Sequence, residues 1–302
     1  MISRFEGALL GLAVGDALGG PFEGEPGAPV TREDLDRIAQ NPITSDDTAM
    51  TIRLAESLVS QRSFSPDDVA RRFARWAEEN GRGIGRSTYH ALVLINRGMP
   101  WQEASRRAHD LASGLSAGNG PLMRSAPLAL LLFRDPDALL AATMQSSRIT
   151  HWDERAGLGA AAFNLMLAAI LHGETDKEKI VLEAPGPITK RSPELQITLS
   201  GLLSRTYDTL STSGFVFDTL GSAAWCFLAG AAFPDVILKS VSLGGDADTV
   251  SAVAGALSGC YYTSSDIPQN WLSAVDEAGR LRGLARGLQE LSSRNETKRL
   301  QS

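Results

Sequence analysis

Two short stretches of this chain hold paired aspartates where a helix begins. "ITSDDTAM" (43–50) sets Ser45, Asp46, Asp47 and Thr48 in a row ahead of an amphipathic run. "GGDADTVSAVAGAL" (244–257) places Asp246, Asp248 and Thr249 between a glycine pair and a run of small apolar residues. A carboxylate buried without a partner is costly, so each pair needs an explanation. The plain one is capping, in which Ser or Asp accepts a bond from the first free N–H groups of a helix. One cap needs one such residue, yet the first stretch offers four consecutive oxygen-bearing side chains. In the second, residues two apart on a helix point roughly 200° apart. The two carboxylates therefore converge only if Gly244 and Gly245 bend the chain and Asp246 precedes the first turn.

No cysteine or histidine accompanies either pair. Oxygen donors alone suit Mg²⁺ or Mn²⁺ rather than Zn²⁺. Four converging carboxylates would repel strongly, and roughly two divalent cations, ~3.5–4 Å apart in a two-metal centre, would neutralise them. From the residues alone, capping and metal binding both stay open, because nothing in the sequence shows that the two stretches meet.

Two further stretches carry chemistry. In "SAGNGPLMRSAPLALLLF" (116–133), Gly118, Asn119 and Gly120 form a tight loop before Pro121 and an apolar helix. That is either an ordinary turn before a proline-led helix or a loop whose amides hold a phosphate or ribose at a helix start. In "SRITHWD" (147–153), His151 is one of only four histidines. It is either a hydrogen-bonded structural residue or a donor to a ligand oxygen. Asp246 to Val250 also matches the DxDx[TV] pattern of haloacid-dehalogenase-type phosphatases. That chemistry needs a hydrophobic strand running straight into the first aspartate and a parallel sheet after it, and this sequence offers neither.

The elements that must position these residues are helical. "TAMTIRLAESLVSQR", "PDDVARRFARWAEEN" and "TLGSAAWCFLAGAAF" space their apolar residues three and four apart, the period of a helix face. Pro66 with Asp67 and Asp68 marks a helix start. Period-two alternation is scarce, so the class is all-α. Segments 24–44, 81–87, 113–121 and 184–195 read as loops from their Gly, Pro and Ser content. One domain is expected over residues 1–290, with a frayed polar tail at 291–302.

Composition narrows the function. The 302 residues are 43% hydrophobic and 21% charged with a net charge of −6, so no basic footprint favours nucleic acid or an anionic membrane. The apolar opening is interrupted by Glu6 and followed by Asp16, and reads as a helix of the mature protein rather than a signal peptide. The apolar run 156–171 is short of the ~20 residues that span a bilayer, and reads as a core helix. Cys226 and Cys260 lie in apolar helical surroundings, as reduced core cysteines do. A cytoplasmic protein is the default expectation.

Six motifs in order resemble the ADP-ribosylglycohydrolase family, the relatives of dinitrogenase-reductase-activating glycohydrolase. "GALLGLAVGDALGGPFEG" resembles the family's opening helix, "SDDTAM" its first acidic motif and "GNGPLMRSAPLAL" its middle loop. "SRITHWD" resembles its Ser…Thr-His segment, "GFVFDTLGSAAWCFL" a late helix and "GGDADTVSAVAGAL" its second acidic motif. The resemblance implies a compact all-α fold with a dinuclear Mg²⁺ or Mn²⁺ centre. By position it implies Ser45, Asp46, Asp47, Asp246, Asp248 and Thr249 as ligands. It brings Glu23, in "PFEG", close to the metals, and lines the ADP-ribose site with Gly118, Asn119, Gly120, Met123 and His151. The implied activity is hydrolysis of the glycosidic bond between ADP-ribose and an acceptor, with Glu23 and Asp47 as candidates to take a proton from water. The substrate is then an ADP-ribosylated protein or a small ADP-ribosyl compound, with no membrane partner and nucleic acid only as a modified substrate. A non-catalytic ADP-ribose binder is the alternative.

Two departures stand out. Ser45 occupies a position where the family usually has threonine; it keeps the hydroxyl and loses the methyl that restrains its rotamer. Many relatives carry an acid in the loop matching "GRGIGRST", where this chain has Gly83 and Ile84 flanked by Arg82 and Arg86. If that acid holds an arginine guanidinium, its absence weakens the case for an arginine-linked substrate.

Overall fold

The computed structural model describes residues 1–301, with side chains throughout except at 273–274 and 297–301. The helices begin with α1 (Ile2–Gly19), α2 (Arg32–Ile38), α3 (Asp46–Gln61), α4 (Pro66–Glu79), α5 (Arg86–Asn96) and α6 (Trp101–Leu111). They continue with α7 (Gly120–Met123), α8 (Ala126–Leu132), α9 (Pro136–Ser147), α10 (Glu154–Leu171), α11 (Gly186–Thr189) and α12 (Pro193–Ser200). The last are α13 (Val216–Ala229), α14 (Phe233–Val241), α15 (Ala247–Tyr262), α16 (Gln269–Ala274) and α17 (Ala278–Gln301). No strand occurs among the described residues, only an isolated bridge between Gly118 and Phe215. The all-α expectation holds.

The centre of the molecule is an antiparallel pair, α1 against α15, buried along most of its length. The pair is close because its facing residues are small. A Cβ added at Gly7, Gly11 or Gly15 would lie 2.0, 2.2 or 2.0 Å from the backbone oxygen of Gly259, Gly255 or Ser251. No side chain fits in that seam, so the register of α15 on α1 is set by backbone contact. This seam fixes Asp16, on α1, relative to Asp248, on α15.

In an exposed helix, Gly→Ala gains about 1 kcal/mol from helix propensity. At Gly15 the opposite sign is expected: Gly15→Ala should cost at least about 2 kcal/mol through overpacking, read as a lower urea midpoint. A raised midpoint would refute the seam.

The apolar run 156–171 lies inside α10, and 83% of that helix's window is buried in the protein. It is a core helix, as expected. Cys226 and Cys260 are free and buried. Burial pushes both thiols up to about 12, so neither is a nucleophile at neutral pH.

Some expected loops hold short helices. Segment 24–44 contains α2, started by a capping box in which Thr31 accepts from Asp34 N while the Asp34 carboxylate receives Thr31 N. Segment 184–195 contains α11 and the start of α12. The boundary expected at residue 290 falls inside α17. That helix continues because Leu291 and Ser292 are buried and Arg134 binds both Ser292 Oγ (3.0 Å) and Glu296 (3.1 Å).

Candidate active site

The two acidic stretches meet. Helix α3 starts at Asp46 because Ser45 occupies its N-cap and accepts from Asp47 N at 3.3 Å. A second device holds the same turn. The buried Asp16 carboxylate receives Ser45 N at 3.0 Å, Thr48 N at 3.1 Å and Thr48 Oγ1 at 2.5 Å. Asp16 thus caps α3 from another helix.

Helix α15 starts differently. Gly244 and Gly245 have φ of +65° and +64°, a left-handed bend that favours glycine. Their backbone is tied to the loop after α1 through Gly24 N to Gly245 O (2.7 Å) and Gly245 N to Glu25 O (2.8 Å). Asp246 sits at the N-cap of α15 but makes no side-chain cap bond. Its Oδ2 instead receives Asn119 Nδ2 at 2.6 Å. Capping therefore accounts for Ser45 and does not account for Asp246.

The contact between the stretches is Thr249 Oγ1 to Asp47 Oδ2, 3.4 Å across 202 residues of sequence. Above it lies a cleft of about 550 Å³. Of the residues singled out in the sequence, Glu23, Asp46, Asp246, Asp248, Thr249, Gly118, Asn119, Gly120, Met123 and His151 line it. Two do not face it. Asp47 is 1% exposed and lies beneath the floor, with Ser45 Oγ and Thr249 Oγ1 on one oxygen and no partner for the other. Ser45 faces a separate small cavity behind α3.

The electrostatics are those of buried carboxyls crowded against one another. Asp46 is pushed up to about 8 by burial and then by the Asp16 carboxylate, with Arg124 opposing. Asp248 is pushed up to about 9 by burial, then by the charges of Asp246 and Glu23. Asp47 is raised well above the usual carboxylate range by burial, Asp16 and Asp248. Among the described residues, no three His, Cys, Asp or Glu side chains stand ready-made as a closed ligand set. The carboxylates surround the floor of the cleft without converging on one point.

Several residues in or beneath the cleft escape the sequence reading. Asp16 is one. Arg124 is another: it is fully buried between the carboxylates and the core, and burial lowers its guanidinium to about 9 while Asp46 raises it. Both are lone charges inside apolar runs, a signal visible in the sequence. The loop 81–88 forms the cleft rim through Gly83, Gly85, Arg86, Ser87 and Thr88. A Cβ at Gly83 would lie 2.8 Å from Asp46 Oδ1, so this loop rests directly on the first acidic motif. Thr212 and Gly214 complete the wall, and nothing in their local sequence marks them.

Fold and cleft together define a class: an all-helical protein whose central helix pair delivers an acidic floor to a nucleotide-sized pocket. The ADP-ribosylglycohydrolase family profile matches residues 1–298. The chain is 32% identical over 302 residues to ADP-ribosylarginine hydrolase Tri1 of Pseudomonas putida (strain GB-1), covering 95% of this chain and 78% of that protein. It is 28% identical to ADP-ribosyl-[dinitrogen reductase] glycohydrolase of Rhodospirillum rubrum, covering 90% of each. A solved structure described as an ADP-ribosylglycohydrolase-related protein complex superposes with a TM-score of 0.79 at 35% identity, over 96% of this chain and 98% of that one. This chain belongs to the ADP-ribosylglycohydrolase family and is an enzyme of that class.

Proposed function

We propose that this protein releases ADP-ribose from a modified acceptor, using divalent cations held by the acidic floor. The observation that carries this is the meeting of Asp47 with Thr249 across 202 residues, with Asp46, Asp246 and Asp248 around it. The donor set fits Mg²⁺ or Mn²⁺: it is all oxygen, one oxygen of Asp47 is buried without a partner, and three carboxyls are held above their ordinary range by burial and by one another's charge. Asp46, Asp47, Asp246, Asp248 and Thr249 would hold the ions, with Ser45 bracing Asp47. When bound, the ions supply the counter-charge that lets these carboxylates ionise together, and Lewis-acid polarisation of substrate oxygens.

The remaining work falls to the chain's own residues. Glycosidic cleavage passes through an oxocarbenium-like state. Glu23 faces the cleft and is exposed there, whereas Asp47 is shut beneath the floor. This favours Glu23 over Asp47 as the group that takes a proton from the attacking water. The loop 118–120 and His151 orient the ADP-ribose moiety.

The family includes an ADP-ribosylarginine hydrolase, so arginine-linked ADP-ribose belongs among the acceptors to test. The rim at 81–88 presents Gly83 and Arg86 to the cleft and no acid, which favours an acceptor that needs no carboxylate clamp. The test is a panel of ADP-ribosylated arginine, serine and small-molecule substrates, each with and without Mg²⁺ or Mn²⁺, scored by ADP-ribose release. Metal-dependent release from at least one linkage is expected. Release that persists in excess EDTA, from metal-free protein, would count against the metal, and flat release across the panel would favour a pure binder.

A further inference from the structure

A buried cation reaches the cleft through two side chains. Arg124 lies with its Cζ 4.8 Å above the Phe73 ring and donates from Nη2 to Thr150 Oγ1 at 2.6 Å. Thr150 Oγ1 is in turn 2.9 Å from His151 Nδ1. The far edge of that imidazole forms the cleft wall: a Cβ at Gly118 would lie 3.0 Å from His151 Nε2, and one at Gly120 would lie 2.9 Å from its Cε1. All three relay residues are buried.

The direction of these bonds follows from what each group can do. A guanidinium only donates, so Arg124 occupies a lone pair of the threonine oxygen. The hydroxyl hydrogen of Thr150 is then free to donate, and His151 Nδ1 is the acceptor beside it. A proton on Nδ1 would leave that hydroxyl hydrogen buried without an acceptor, at a cost of about 1–3 kcal/mol. The positive charge beyond Thr150 also favours a lone pair, not a proton, on the near nitrogen.

We propose that Arg124 and Thr150 are positioning residues that lock His151 in its Nε2–H tautomer, so that the ring presents a fixed hydrogen-bond donor to an acceptor oxygen of the ADP-ribosyl group. This rests on the reading of the cleft as the ADP-ribosyl site. Burial and the Arg124 charge hold the imidazole down to about 3, so the ring stays neutral and the donor is present at every ordinary pH. In a cleft whose lining carries four carboxylates and the single cation Arg86, such a donor offsets repulsion against a diphosphate without adding a second charge.

Two-bond ¹H–¹⁵N correlation spectra of the full-length, histidine-labelled protein report the tautomer directly. His151 is expected as neutral Nε2–H between about pH 6 and pH 8; an Nδ1–H ring overturns the proposal. Thr150→Val should shift the ring toward Nδ1–H and weaken ADP-ribose binding in calorimetry by roughly tenfold. Thr150→Ser should restore both. An unchanged tautomer in Thr150→Val, or a changed tautomer with unchanged affinity, overturns the positioning role. If Thr150→Val does not fold, the wild-type and Thr150→Ser spectra still decide. A locked ring in a protein that binds no ADP-ribose supports the relay and overturns the hydrolase reading instead.

Discussion

Replacing both aspartates of the second motif, as Asp246→Asn/Asp248→Asn, is expected to lower ADP-ribose release by at least about 10³-fold while leaving the helical fold intact. The fold should survive for three reasons. Asparagine matches aspartate in shape. The bond that Asp246 Oδ2 receives from Asn119 Nδ2 (2.6 Å) can be kept by an amide oxygen. The substitution also removes the Asp246 charge that, after burial, holds Asp248 up at about 9. Activity should collapse because half of the acidic floor loses its charge and with it the affinity for divalent cations. The measurements are ADP-ribose release, bound metal by elemental analysis and far-UV circular dichroism on the same preparation. Undiminished turnover in the double variant would sink the metal-centre reading, whatever the metal content. Lost turnover with unfolded protein would point to a structural role for the pair.

The paired aspartates were legible in the sequence because acidic residues at a helix start, in an apolar context, have few physical explanations. The glycine pair before Asp246 was legible for the same reason, and the left-handed backbone at Gly244 and Gly245 bears it out. Their division of labour was not legible. Asp46 faces the cleft and Asp47 lies under it. Which of two adjacent residues at a helix start faces which way depends on the rotation of α3 about its axis. That rotation is set by Asp16, through bonds to Ser45 and Thr48 from a helix thirty residues away.

Asp16 and Arg124 were within reach. The argument that a carboxylate needs a partner inside an apolar run applies to "GLAVGDALGG" and to "PLMRSAPLALL" as well as to the two motifs. The capping box at Thr31 and Asp34 was similarly visible as a threonine followed three residues later by an acid. The cleft walls at 81–88 and 212–214 were a different matter. These residues reach the cleft through the chain path around α5 and α13, and no local pattern marks Arg86, Ser87, Thr88 or Thr212 as cleft residues. The resemblance to known relatives located the first of these walls, and no local pattern located the second.

In the metal-free protein, the melting temperature is expected to fall by on the order of 10 °C between about pH 6.5 and pH 8.5. Asp46 and Asp248 have native pKa values raised to about 8 and about 9, from 3.8 in the unfolded chain. Within this window the native state keeps protons that the unfolded chain has already lost. Stability therefore declines as pH rises, and the decline is complete only above the native values. Two raised, buried carboxyls carry on the order of 5 kcal/mol of such linkage, after allowance for their coupling. Asp47 and Asp16, also raised by burial, act in the same direction. His151, held down to about 3, costs stability only below its unfolded value near 6.5, as the unfolded ring gains a proton that the buried ring refuses. Arg124, though burial lowers it, keeps its proton throughout the window, as arginine does in proteins. Divalent cations bind the ionised carboxylates and compete with protons, so added Mn²⁺ should stabilise most at pH 8.5, where it should flatten or reverse the slope. The variant Asp46→Asn/Asp248→Asn should show a shallower slope and lose the response to metal. Thermal unfolding of EDTA-treated protein, with and without Mn²⁺, reads all of these at once. A melting temperature that rises from pH 6.5 to 8.5 without metal would mean that the floor carboxylates are ionised and compensated by protein groups alone, and the case for a metal as their counter-charge would fall with it.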